Sequence, residues 1–135
     1  MTEYTDPPGM PENERMTPAE LKVVREYLGL SSAALARYLG VSDRTVRHWE
    51  EGKYLIPCGV RLEIEKLEAF TAEFVASVVE KVTDVPDPVV VTYRTDKEYH
   101  SAHPEMPFPA SWHRAAIARV AQKVPGLSIT YPSNI

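Results

Sequence analysis

The chain has 135 residues, 44% hydrophobic and 25% charged, a globular composition with apolar material for one core or two small ones. Its net charge of −4 speaks against a basic, sequence-blind coat of nucleic acid. A single cysteine, Cys58, excludes an intrachain disulfide and a multi-cysteine zinc site, and fits a reduced cytoplasm.

Residues 1–16 read as a disordered acidic arm. Pro7, Pro8, Gly9 and Pro11 break regular structure, and Glu3, Asp6, Glu12 and Glu14 against Arg15 leave a net charge of −3. This order is the reverse of a signal peptide, and no apolar run approaches the ~20 residues that span a bilayer. A soluble, cytoplasmic protein without a membrane partner is expected.

Order is expected to begin at "TPAE", with Thr17 as N-cap, Pro18 in the first helical position and Glu20 closing a capping box. This helix runs to about Leu28, with Leu21, Val24 and Leu28 on one face, and Gly29 stops it. A second, short helix runs from a cap at Ser31 or Ser32 to Leu39 and ends at Gly40. A third starts at Ser42 and stops near Gly52. "YLIPCG" is a connector that Pro57 holds extended.

"GVRLEIEKLEAFTAEFVASVVEKV" then carries Val60, Ile64, Leu67, Phe70 (or Thr71), Phe74, Val78 and Val82 at every third or fourth position. The spacing predicts a helix of ~23 residues, ~35 Å long. Its stripe widens at Phe74, Val75, Val78 and Val79, where another domain or another chain is expected to cover it.

Thr83–Pro88 reads as a linker, "VVVTYRT" as a strand, "DKEYHSAH" as a helical turn and "PEMPFP" as a loop. "ASWHRAAIARVAQKV" is a helix with Trp112, Ala116, Ile117, Val120 and Val124 inward, and "LSITY" is a closing strand. The expected fold is mainly α with a small α+β tail. A helix-turn-helix domain of five helices spans 17–82, with the long helix fifth. A linker spans 83–88, and a β-α-α-β region spans 89–135. Two lone strands are unstable by themselves, so the tail is expected to dimerise, with Phe74, Val78, Val90, Tyr93 and Ile129 as contact candidates. Whether strands or the long helix do the pairing stays open.

The stretch from Ser32 to Glu51 meets the requirements of a helix-turn-helix together. Ala36 is small where a second helix must pack, and Gly40 tolerates the positive φ of the tight turn. Leu35, Leu39 and Val41 pin the turn. Val46 and Trp49 are one β-branched and one large residue for the second helix to bury, leaving its other face free. Between Gly29 and Leu62 the bases Arg37, Arg44, Arg47, Lys53 and Arg61 outnumber Asp43, Glu50 and Glu51, giving +2 within an acidic chain.

"SSAALARYLGVSDRTVRHWEEGK" resembles the lambda-repressor/Cro (Xre-type) helix-turn-helix family, over about residues 17–70. The resemblance implies that the second helix of the motif enters the major groove of double-stranded DNA. Asp43, Arg44, Thr45 and His48 then correspond to base-facing positions, Arg47 flanks them, and Ser32 and Ser42 lie at helix N-termini that approach phosphates. Glu50 corresponds to a structural position. The whole layout, including "HWEEGKYLIP" and the tail, is similar to the anti-CRISPR-associated autorepressors, implying a homodimer that binds an inverted repeat in its own promoter. The acidic arm and several prolines depart from that pattern.

The side-chain chemistry runs parallel. Arg44 has the two donors that match guanine O6 and N7, and Arg47 and Lys53 suit phosphates. Asp43 suits either cytosine N4 or the N-terminus of its own helix. His48 is a base reader or a solvated residue, and Arg37 a phosphate contact or an ion-pair partner.

Other chemistry finds little footing. His100 and His103 have ligand-like spacing, but no cysteine lies near and Pro104 follows, so no metal is expected. His113 reads as ordinary, and Cys58 as a small buried hydrophobe. No phosphate-cradling glycine loop, nucleophile elbow or paired histidines with a catalytic glutamate occur, so neither enzyme activity nor a cofactor is expected. The alternative to a dimeric repressor is an antitoxin whose "PEMPFP" loop and tail grip a partner protein.

Overall fold

The computed structural model describes residues 15–133, so the expectation of a disordered arm lies outside it except at Arg15 and Met16. The chain divides into two compact units, the first ending at Ala69 and the second beginning at Phe70.

In the first unit, α1 (Pro18–Tyr27) begins as its sequence requires. Thr17 Oγ1 accepts from the Glu20 amide at 3.1 Å, and Glu20 Oε1 accepts from the Thr17 amide at 2.8 Å. That backbone bond holds the exposed Glu20 carboxyl below its ordinary range. Helices α2 (Ser32–Leu39) and α3 (Asp43–Glu50) follow, capped by Ser31 and Ser42. Gly40 closes α2 in the left-handed region, at φ +74°. Leu21, Leu28, Leu35, Ala36, Leu39, Val46, Ile56, Val60, Ile64 and Leu67 are buried and form the apolar interior of this unit.

Helix α4 (Cys58–Val82) is fourth in chain order, not fifth. The connector before it adds no helix, because Pro57 bars the preceding residue from helical geometry. Cys58 is buried, as expected of a small hydrophobe. Where the apolar stripe left Phe70 and Thr71 as alternatives, Thr71 is the inward residue at 2% exposed, and Phe70 is 43% exposed.

In the second unit, the last turns of α4 supply Phe74, Val75, Val78, Val79 and Val82 to a core with Ala116, Ile117, Val120 and Val124 of α6 (Ala110–Lys123). Strand β1 (Val89–Val91) precedes α5 (Asp96–Ala102), and β2 (Ser128–Thr130) follows α6. The order is β-α-α-β. The strands pair with each other, parallel, with Val90 opposite Ile129. Strand β1 is shorter than the "VVVTYRT" run: the Thr92 amide still donates to the Thr130 carbonyl at 2.8 Å, but from there on α6 engages the chain. Thr92 bonds the His113 ring at 2.7 Å, and Arg114 donates to the carbonyls of Tyr93 and Arg94 at 2.6 and 3.1 Å.

Pro109, the N-cap residue of α6, has no side chain that can cap, so Asp96 takes the role. Its Oδ1 accepts from the Ala110 amide at 2.8 Å. Trp112 is fully buried and its indole N–H donates to Thr71 Oγ1 at 3.0 Å, which meets the polar demand of a buried tryptophan.

Candidate nucleic-acid interface

Helix α3 is short and two-faced. Val46 and Trp49 are 0% and 5% exposed, and Ala36 of α2, at 2%, leaves room for the close approach. Burying that face fixes what the opposite face presents. Arg44 and Arg47 are exposed, Thr45 and His48 half-buried, and exposed Arg37 and Lys53 lie on α2 and just beyond α3.

The sequence-predicted residues fall into two sets. Arg44 is an exposed guanidinium without a partner among the described residues, free to reach a ligand. Asp43, Ser32, Ser42, Thr45 and Arg47 are tied to one another instead. The Ser32 hydroxyl donates to Asp43 Oδ1 at 2.5 Å, and Asp43 Oδ2 pairs with Arg47 Nε at 3.3 Å. The N-cap of α3 is Ser42, not Asp43: its hydroxyl accepts from the Thr45 amide at 3.1 Å and bonds Thr45 Oγ1 at 2.9 Å. Asp43 sits one residue inside the helix, where the N-terminal dipole still favours its charge. The His48 ring meets Tyr54 edge-on at 5.5 Å between centroids, and Tyr54 is 60% exposed.

Behind this surface lies a fork that spacing does not reveal. Arg25 of α1 donates from Nε to Glu50 Oε2 at 2.7 Å and from Nη2 to Glu50 Oε1 at 2.9 Å. Its Nη1 donates to the Leu30 carbonyl at 2.9 Å. The side chains are 13% and 9% exposed, so this is a largely desolvated bidentate pair joining α1 to the end of α3. Hydrogen bonding to Glu50 raises the Arg25 pKa further. The structural position expected of Glu50 thus has its partner, and local spacing does not reveal Arg25 because 25 residues separate the two.

Of the dimer candidates, Phe74, Val78 and Val90 are partly buried against the core of the second unit. Tyr93 is 7% exposed, its hydroxyl bonded to His103 Nε2 at 3.1 Å, and Ile129 is 45% exposed. His100 and His103 are occupied with the Phe108 carbonyl and with Tyr93. No metal-holding group of His, Cys, Asp or Glu occurs among the described residues. No helix among them is long and apolar enough to cross a membrane. His113 departs most from expectation: it is buried, and that burial, with His103 and Arg114 nearby, brings its pKa down to about 4.

The helix-turn-helix family model matches residues 21–57, the span from α1 through the connector to α4. A relative called the Aca2 repressor, from Pectobacterium phage ZF40, is 28% identical over 116 residues, covering 85% of this chain and 94% of its own.

Proposed function

We propose, from the premise that this chain is a DNA-binding transcriptional regulator of the Cro/C1-type (Xre-type) helix-turn-helix proteins, that it is a dimeric repressor of a phage, mobile-element or bacterial promoter. It would act in the cytoplasm of a bacterial cell, where such a promoter lies. One observation carries the reading: α3 buries Val46 and Trp49 and leaves Arg44, Arg47 and His48 on the face opposite. Arg44 reads guanine through two hydrogen bonds, and His48 and Thr45 face neighbouring bases. Arg37, Lys53 and Arg47 lie against phosphates with Ser32 and Ser42. Asp43 keeps α3 and Arg47 in register from within the reading surface.

Two copies present two α3 helices to successive major grooves, ~34–36 Å apart, and so select an inverted repeat. A regulator seated on its own promoter blocks polymerase sterically. Support for the dimer comes from β1, where Val89 and Val91 are 57% and 42% exposed on a two-stranded sheet whose edges are both unpaired among the described residues. The antitoxin alternative gains no comparable support, since Phe108 of the "PEMPFP" loop is buried against Trp112 at 4.7 Å between ring centroids.

The test is selection of sites from a random duplex pool by the full chain at ~150 mM salt, which suppresses phosphate-only binding. An enriched inverted repeat with half-sites one helical turn apart is expected. A folded protein that enriches no sequence would overturn the reading.

A further inference from the structure

Helix α3 ends in a way that returns the chain to its own outward face. Beyond the C-cap, Glu51, the Gly52 amide donates to the Trp49 carbonyl at 3.2 Å and the Lys53 amide to the His48 carbonyl at 2.9 Å. With Gly52 at φ +78°, these two bonds make a Schellman motif, which folds the chain against the last turn of the helix. The next residue, Tyr54, lies beside His48. Their rings meet edge-on, 5.5 Å between centroids and 61° between planes.

Tyr54 does little for the core, because it remains 60% exposed. Its partner stands in a more telling place. His48 follows Arg44 by four residues, on the same side of α3 and away from buried Val46 and Trp49. Among the described residues no hydrogen bond or ion pair engages the His48 ring, so both its nitrogens are open to a base edge. The edge contact with Tyr54 is the directional interaction that orients the imidazole.

Orientation matters to a reader of bases. A hydrogen bond weakens steeply as its angle closes, and a ring left to rotate must be ordered at the moment of binding. A ring already set by a neighbour avoids part of that cost. It also offers its nitrogens in one direction, so a wrong base meets a fixed mismatch instead of an adaptable side chain.

We propose that Tyr54 is a positioning residue for sequence recognition: its ring sets the His48 imidazole on the reading surface and thereby sharpens discrimination at the base pair that His48 faces. The ring carries this role, and the hydroxyl is not needed for it. The inference rests on the DNA reading above and adds to it a residue from outside the reading helix.

The test has two arms, both on the full chain. In the free protein, NMR follows the His48 ring protons, identified by their loss in His48→Ala. Tyr54→Ala should shift them and Tyr54→Phe should leave them near their wild-type positions, with the rest of the spectrum unchanged as the check on folding. The second arm measures affinity for the selected operator and for each single base-pair variant of it. His48→Ala should flatten the preference at one base pair of each half-site. Tyr54→Ala should reduce the preference at that same pair about two- to tenfold, while the preference lost in Arg44→Ala stays intact. Tyr54→Phe should keep the wild-type preference, and adding Tyr54→Ala to His48→Ala should remove nothing more at that pair. Unmoved His48 signals in Tyr54→Ala, a loss spread evenly over all base pairs, or a Tyr54→Phe as weak as Tyr54→Ala overturns the role of the ring. So does a His48→Ala that keeps every preference. A wild type that selects no sequence is a different result: it fails the DNA reading itself, and this inference with it.

Discussion

Arg44 and Arg47 look equivalent on a helical wheel, yet they differ in what they are free to do. Arg47 shares Asp43 with Ser32, whereas Arg44 meets nothing among the described residues. Arg44→Ala is therefore expected to reduce affinity for the selected site ten- to a hundredfold, the ~1–3 kcal/mol of a bidentate guanine contact. Its melting temperature should stay within error of wild type, as anisotropy titration and thermal denaturation will check. The Arg25–Glu50 fork behaves in the opposite way. Removing either partner strands a largely desolvated charge, so Arg25→Ala and Glu50→Ala should each cost ~2–3 kcal/mol in urea unfolding. The double mutant should lose at least ~1 kcal/mol less than the sum of the two.

Helices α2 and α3 form one element in energetic terms, joined by a turn only a few residues long. Gly40 holds φ +74°, and an added Cβ there works against backbone sterics. Gly40→Ala is expected to destabilise the first unit by ~1 kcal/mol and to weaken DNA binding in proportion, read by denaturation and titration on the same variant. This turn was legible in the sequence because its determinants are local: a left-handed residue, a small residue and the apolar anchors Leu35, Leu39 and Val41 at fixed spacing. The α1 capping box and the inward face of α6 were legible for the same reason. The Arg25–Glu50 fork, Asp96 capping α6 and the Thr92–His113 bond were not, since each joins residues that only folding brings together. Asp43 lies between these cases. Its helix-starting position was legible, but its double engagement with Ser32 and Arg47 depends on how α2 meets α3.

The whole molecule combines two units with different sensitivities. His113 sits among Phe74, Tyr93, Tyr99, Thr92 and His103, with a pKa near 4 against ~6.5 when unfolded. The unfolded chain therefore binds more protons between those values, and stability falls as pH drops from about 6.5 to 4. Acidification from pH 7 to 4.5 should cost the second unit ~2–3 kcal/mol, a dependence that His113→Asn largely removes. Urea midpoints at the two pH values, followed by near-UV circular dichroism, measure it. Assembly belongs to this scale too. Val91→Lys places a charge on the exposed face of β1. It should shift the protein to monomer in light scattering and lower affinity for a two-half-site operator at least tenfold. Affinity for an isolated half-site should not change.

The pairing of β1 with β2 also sets an order in time. The two paired strands are roughly 40 residues apart along the chain, and their register cannot exist until the later one has been made. At ~5–20 residues per second, a growing chain spends about 2–8 s between the two. Helix α3, which carries Arg44, belongs to the earlier unit and is made before any residue of the sheet. If the chain pairs through this sheet, as we propose, every residue of the reading surface is made seconds before the second strand, and a chain still lacking β2 carries Arg44 without the completed pairing surface.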